Sequence, residues 1–274
     1  MRLTRGDEPM ALAADVSNTI RVLEMLSSEP EGLGVTQVSA GLAVNKAIAH
    51  RLLGALVEVG YVAQDKRTST YVATHRLGAL GLRQLSSSGL DTWAQRTLDA
   101  LASECEELVR LAVATTDSLQ WIAKAQGSNS SLRLDPVMGR SAVPYATASG
   151  KAWLSTLESE HVETILSKQN PGHHTPRTAL DADRLNADLD EARHRGYATT
   201  FEEMDLGINA VAAPIYGAGK TTAATGTLSI AGPSVRMTRA RLAELSAPLI
   251  AAADDIAATW PAFDYLSTNE EISA

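Results

Sequence analysis

Few side chains in this chain are of the kinds that perform covalent or metal chemistry, and those few lack the partners such chemistry needs. His173 and His174, with His161 upstream, would suit a metal, but no HExxH pattern or carboxylate cluster accompanies them. The turn-rich segment Pro171-Gly172-His173-His174-Thr175-Pro176-Arg177-Thr178 reads instead as a solvated loop. Cys105, the single cysteine, lies beside Glu104, Glu106 and Glu107, and neighbouring acids raise a thiol's pKa instead of activating it. Gly217-Ala218-Gly219-Lys220-Thr221 resembles the end of a phosphate-binding loop. The first glycine of that motif would fall on Pro214, and the residues after it lead into a strand where a helix is required. No GxSxG elbow is present. The expectation is no enzyme, no metal and no cofactor.

The residues left over suit recognition. Asn45, Lys46, Ala47, His50 and Arg51 lie on or near the exposed side of a helical pattern whose other side is Ile48, Leu52, Leu53 and Leu56. Lys46 and Arg51 could meet phosphates or guanine edges, Asn45 could pair with adenine, and Ala47 could touch a thymine methyl. The flanking pattern supplies the elements that would position them. Ser17 is the expected N-cap of a first helix carrying Ile20, Val22, Leu23 and Leu26, which ends at Glu29-Pro30-Glu31-Gly32. Thr36 is the expected cap of a short second helix over 37–42; Thr36 and Gln37 mark a helix start whose free N–H groups could hold a phosphate. A third helix is expected over 45–59, closed by Gly60. Tyr61-Val62-Ala63 and Thr70-Tyr71-Val72 flank a polar tip, a hairpin that would lay Lys66 and Arg67 along a DNA backbone or in the minor groove. Three helices and a hairpin in this order make a winged helix-turn-helix, with double-stranded DNA as its partner and the third helix in the major groove.

The remainder has a different pattern. Residues 77–108 read as a connector and a long helix carrying Leu98, Leu101 and Leu108, broken at Ser86-Ser87-Ser88-Gly89. Strands follow over 109–115 and 118–125, a helix over 150–156, a helix over 180–196, strands over 210–215 and 225–230, and a closing helix over 238–259. The fold class is α+β. The expected divisions are a flexible 1–14, a winged domain over 15–76, a linker helix over 77–90, an α/β domain over 91–262 and a flexible tail over 263–274. Ala146-Thr147-Ala148-Ser149-Gly150-Lys151-Ala152-Trp153 is a small-residue loop feeding a helix. Small residues admit a ligand close to the backbone, and a helix start offers N–H groups to a carboxylate.

Bulk properties fit this division. Residues 1–76 carry equal numbers of basic and acidic groups, and the rest of the chain carries the whole formal charge of −8. One cysteine excludes an intrachain disulfide and fits a reducing cytoplasm. The first residues lack the apolar stretch of a signal peptide, and no apolar run reaches the ~18 residues of a membrane span. A cytoplasmic protein away from membranes is expected.

Four stretches resemble the IclR family of bacterial transcriptional regulators. They are Ile48-Ala49-His50-Arg51-Leu52-Leu53 through Val59-Gly60-Tyr61-Val62; Tyr145-Ala146-Thr147-Ala148-Ser149-Gly150-Lys151-Ala152; Arg195-Gly196-Tyr197 with Glu202-Glu203 and Gly207-Ile208; and Val211-Ala212-Ala213-Pro214 through Leu228-Ser229-Ile230-Ala231-Gly232-Pro233. The resemblance spans roughly residues 16–260. It implies a GAF-like sensor domain, a homodimer or homotetramer, and control by a small organic acid effector. Carried over by position, the effector pocket would be lined by Thr147, Ala148, Ser149, Thr200, Asn209, Ala210, Ser229 and Ala231. The chain departs from the family's pattern in three places. Ala47-Ile48 stands where Ser-Thr is common, Ala210 where some members have cysteine, and Thr200 where some have an acid. The last two imply an effector different from glyoxylate or pyruvate, a larger or more apolar acid, such as an aromatic one, being one option. Two other readings stay open at this point. One is a metabolite-binding protein or enzyme that uses the winged domain for oligomerisation only; the other is an architectural DNA-binding protein without an effector.

Overall fold

The computed structural model describes residues 7–87, 93–169, 171–217 and 222–259, which form two compact units divided between Ser87 and Ser88. Each is described by itself.

The first unit opens with α1 (Asp7–Ser27), which starts ten residues before Ser17. Ser17 therefore caps nothing, and the backbone of residues 7–14, expected to be flexible, is helical. The helix thus begins before its buried stripe of Val22 and Leu26 does. Val22 and Leu26 are buried, whereas Ile20, expected inside, is exposed. α2 (Val35–Leu42) is capped by Gly34, two residues earlier than Thr36. α3 (Lys46–Glu58) buries Ala49, Leu52, Leu53 and Leu56 against α1 and α2. Gly60 follows it with φ +78°, the left-handed conformation expected of a residue just past a helix end. β1 (Val62–Asp65) and β2 (Thr70–Ala73) pair antiparallel as the wing. Leu33, between α1 and α2, adds a bridge to Tyr71 of β2, exchanging N–H···O bonds of 2.9 Å in both directions. Gly32 must be glycine there: its φ is +78°, and a Cβ would press on the Tyr71 carbonyl. α4 (His75–Ser87) ends the unit with no buried residue.

The second unit is one antiparallel sheet between two helical layers. After α5 (Trp93–Cys105), β3 (Leu108–Ala114) and β4 (Leu119–Gln126) form a hairpin. α6 (Ala148–Leu154), α7 (Ser159–Gln169) and α8 (Ala182–Arg195) follow, then β5 (Ala198–Phe201), β6 (Ile208–Ile215), β7 (Gly226–Pro233) and α9 (Arg239–Ala258). The sheet order is β4-β3-β7-β6-β5. α5 and α9 cover one face and α6 and α8 the other. Burial on both faces explains why β6 and β7 read as continuous apolar runs. Every pairing is antiparallel, so the unit belongs to the α+β class and not to the parallel α/β type.

No helix among the described residues is long and apolar enough to cross a membrane.

Candidate nucleic-acid interface and ligand cavity

All nine residues expected to meet DNA are exposed: Thr36, Gln37, Asn45, Lys46, Ala47, His50, Arg51, Lys66 and Arg67. Lys46, Ala47, His50 and Arg51 share the side of α3 opposite its buried stripe. Four of the nine are already engaged within the unit: Asn45, Gln37, Arg51 and Arg67. Asn45 is the N-cap of α3, its Oδ1 accepting the Ile48 N–H at 2.9 Å, so its amide no longer has both groups free for adenine. Gln37 Oε1 accepts the Gly34 N–H at 2.8 Å in the cap of α2, where Thr36 was expected to act. Arg51 Nη2 lies 3.0 Å from Asp15 on the neighbouring helix α1. At the wing tip Asp65 Oδ1 accepts the Arg67 N–H at 2.8 Å, and this bond holds the Asp65 carboxyl below its ordinary pKa. Lys46 and Lys66 form no ion pair among the described residues. Arg76, which the sequence reading passed over, braces the wing: it donates to the Val59 carbonyl at 2.8 Å and stacks over Tyr61.

In the second unit, Thr147, Ala148, Ser149, Thr200, Ala210, Ser229 and Ala231 converge on one cavity of about 480 Å³. Asn209 is turned away. Ile208 and Ala210 line the cavity, so their neighbour must face the other side of β6, where Asn209 Nδ2 donates to the Met237 carbonyl at 2.8 Å.

The helix start over which a carboxylate was expected is not the charged part of the site. α6 has seven residues, and Thr147 caps it from within, its hydroxyl accepting the Gly150 N–H at 3.0 Å. Gly150 lies against Pro144 so closely that a Cβ would overlap the Pro144 backbone. Asp135, Arg140 and Asp205 line the cavity, and so does Arg110 on β3. Its guanidinium stacks on Trp121 of β4, 3.9 Å from the ring centroid, and forms no ion pair among the described residues. Burial pushes its pKa down to about 10, partly offset by the Asp205 carboxylate, so it is charged at neutral pH but poorly solvated. Arg110 Nε, Trp121 Nε1 and Ser149 Oγ are buried without hydrogen-bond partners. A lone arginine inside the apolar run Leu108-Val109-Arg110-Leu111-Ala112 was the available signal for this residue.

A buried charge cluster ties α6 to its neighbours. Lys151 on α6 is 1% exposed and lies 2.6 Å from both Asp188 on α8 and Glu203 in the β5–β6 connection. The segment 171–178, expected to be solvated, clasps the same connection: Thr175 and Thr178 hydroxyls donate to the carbonyls of Glu202 and Glu203 at 2.7 Å. His174 Nε2 lies 3.2 Å from Tyr145 Oη and His161 Nε2 lies 3.0 Å from the Thr116 carbonyl. No group of histidine, cysteine and carboxylates among the described residues could hold a metal. Cys105 is buried, and burial, more than its acidic neighbours, raises its thiol to about 11. Residues 218–221 of the glycine-rich segment lie outside the described residues; the segment joins β6 to its antiparallel neighbour β7, not to a helix.

A winged helix-turn-helix in one unit and a cavity with unpartnered polar atoms in another define a DNA-binding regulator with a sensor domain. The chain belongs to the IclR family of bacterial transcriptional regulators. Residues 16–66 match the IclR helix-turn-helix domain, and residues 82–258 match the IclR C-terminal domain. It is 31% identical over 252 residues to the HTH-type transcriptional regulator KdgR of Escherichia coli, covering 91% of this chain and 95% of that protein. An IclR transcriptional regulator from Alicyclobacillus acidocaldarius has the same fold (TM-score 0.79, 23% identity, 89% and 97% covered). So has an IclR homologue from Microbacterium hydrocarbonoxydans, solved in complex with 4-hydroxybenzoate (TM-score 0.71, 22% identity, 89% and 98% covered).

Proposed function

We propose that this regulator binds a specific operator as a dimer or tetramer, and that a small organic acid in the 480 Å³ cavity shifts its operator affinity. One observation carries the ligand half of the reading: Arg110, buried, stacked on Trp121 and in no ion pair among the described residues, lines a cavity large enough for a small organic molecule, with Asp205 as its nearest electrostatic counterpart. Such a charge costs stability until an anion meets it, so the site favours an anionic occupant. Relatives named for transcriptional regulation, and one solved with 4-hydroxybenzoate, support the same reading.

On DNA, α3 enters the major groove with Lys46, Ala47, His50 and Arg51 towards the bases. Lys66 and Arg67 follow the backbone, and Thr36 and Gln37 at the start of α2 approach a phosphate. Effector and operator are linked through the equilibrium between states of different DNA affinity, with a coupling on the order of 1–3 kcal/mol.

The test is fluorescence anisotropy on the DNA upstream of the protein's own gene, across a salt series, with a random duplex as control. Selective binding that weakens steeply with salt supports an operator-binding regulator. Equal binding to both duplexes, with little salt dependence, would favour a winged domain that serves only oligomerisation.

A further inference from the structure

We infer that the second unit holds a further binding site, for a phosphorylated sugar or polyol, on the side of β5 that faces away from the effector cavity. Side chains alternate between the two faces of a strand. Thr200 of β5 lines the effector cavity, whereas Thr199 and Phe201, with Tyr197 just before the strand, line a second cavity of about 510 Å³. β5 is the last strand in the sheet order, so this cavity lies at the sheet's edge, between α8 and α9. Four arginines reach it from separate places in the chain. Arg177 comes from the segment before α8, Arg184 and Arg195 from the two ends of α8, and Arg239 from the first position of α9.

The charges of these arginines are only partly met. Arg177 lies 2.6 Å from Glu202, and Arg195 Nη1 lies 2.9 Å from Glu191. Arg184 and Arg239 form no ion pair among the described residues. Rings hold two of the four: the Arg239 guanidinium is 3.8 Å from the Phe201 centroid, and that of Arg195 is 4.7 Å from the Tyr197 centroid. Stacking uses the face of a guanidinium and leaves its edge N–H groups for an anion. Arg195 Nε is buried without a hydrogen-bond partner. Guanidinium groups on facing walls suit an anion with several oxygens, and a phosphate monoester presents three.

The acidic lining decides what the phosphate is attached to. Asp188 and Glu203 share the Lys151 ammonium, and Glu191 has Arg195. A carboxylate accepts from several donors at once, so these three can also take hydrogen bonds from hydroxyls. The hydroxyl of Thr199, between the two rings, adds a further partner. A bisphosphate or a dicarboxylate would press its second charge against the same carboxylates. A bare phosphate would leave most of the 510 Å³ unfilled. One phosphate on a hydroxylated body meets the arginines and the carboxylates together.

The experiment is titration calorimetry on the full chain with glycerol 3-phosphate, ribose 5-phosphate and glucose 6-phosphate, each against its unphosphorylated parent, and with inorganic phosphate. The inference expects one or more of these esters to bind about tenfold tighter than both its parent and inorganic phosphate. Arg184→Gln and Arg239→Gln should each weaken that ester about tenfold. Lys168→Gln removes a cation that meets Asp117 in the turn between β3 and β4; it controls for net charge and should leave the affinity unchanged. No ester ahead of its parent, inorganic phosphate as tight as every ester, or an ester indifferent to both arginine variants would overturn the inference. The ester comparison uses the unaltered chain, so it decides the matter even if a variant folds poorly.

Discussion

Lys151 Nζ and Glu203 Oε2 are 2.6 Å apart, with side chains 1% and 5% exposed, and the pair ties α6 directly to the β5–β6 connection. Asp188 on α8 meets the same ammonium at 2.6 Å. The second and third stretches of family resemblance thus meet at a single buried charge, which explains why a lysine stands in the small-residue loop at all. Thr147 and Ser149 on one side of this contact and Met204 and Asp205 on the other all line the cavity, so the contact sets the cavity's shape.

Replacing Lys151 by methionine leaves Glu203 buried without its cation. The expected cost is about 3–5 kcal/mol in urea denaturation, the range for breaking one partner of a buried pair. The double variant Lys151→Met, Glu203→Gln should recover part of that loss. A cost below that of an ordinary surface substitution would mean that the pair is not buried in solution.

Cys105 gives a pH prediction. Its thiol is raised from 9.0 to about 11 in the fold, so the unfolded chain releases the proton first. Stability should therefore fall as pH rises from about 9 through 11, and the fall should vanish in Cys105→Ala. At pH 8 the folded thiolate fraction is about a thousandth, so alkylation should be slow until denaturant is added. Rapid modification of the native chain would contradict the buried placement.

On the DNA side, Arg51→Ala separates structure from recognition. Its exposed ion pair with Asp15 is worth about 0–1 kcal/mol, so the fold should barely weaken. Operator affinity should fall by about 1–3 kcal/mol if Arg51 reads a base. Lys46→Ala should weaken binding to all sequences and reduce the salt slope by about one. Asn45→Ala should do the reverse of Arg51→Ala, costing about 1 kcal/mol of stability as a lost cap. Chemical denaturation and anisotropy on the same preparations distinguish the three.

Ser149→Leu fills the cavity from α6. It should abolish effector binding and leave the operator affinity of the ligand-free chain within about twofold. A normal effector response in this variant would place the ligand elsewhere.

The two-unit order and the winged helix-turn-helix were legible in the sequence, and seven of the eight residues expected to line one cavity do so. Helical periodicity marked Leu52, Leu53 and Leu56, and residue types marked the hairpin. What stayed hidden has physical causes. α7 buries only Val162 and Ile165, too few to raise a periodic signal, and β5 is a four-residue edge strand. Helix starts were misplaced because α1 begins before its buried stripe and α2 is capped by the backbone of Gly34 with Gln37, not by the hydroxyl of Thr36. Asn209 was misassigned because adjacent strand residues face opposite ways, which positional carry-over from a family ignores. Arg110 was missed because its meaning depends on strand pairing with Ser229 and stacking on Trp121, contacts that no local pattern encodes.

The central claim is that an acid in the Arg110 cavity changes operator affinity. The most direct measurement is the operator dissociation constant with and without saturating benzoate, in the unaltered chain and in Arg110→Met. The account predicts a shift of about fivefold or more in the unaltered chain and none in the variant, while ligand-free operator binding is the same in both. Equal operator affinity with and without bound benzoate in the unaltered chain would contradict it.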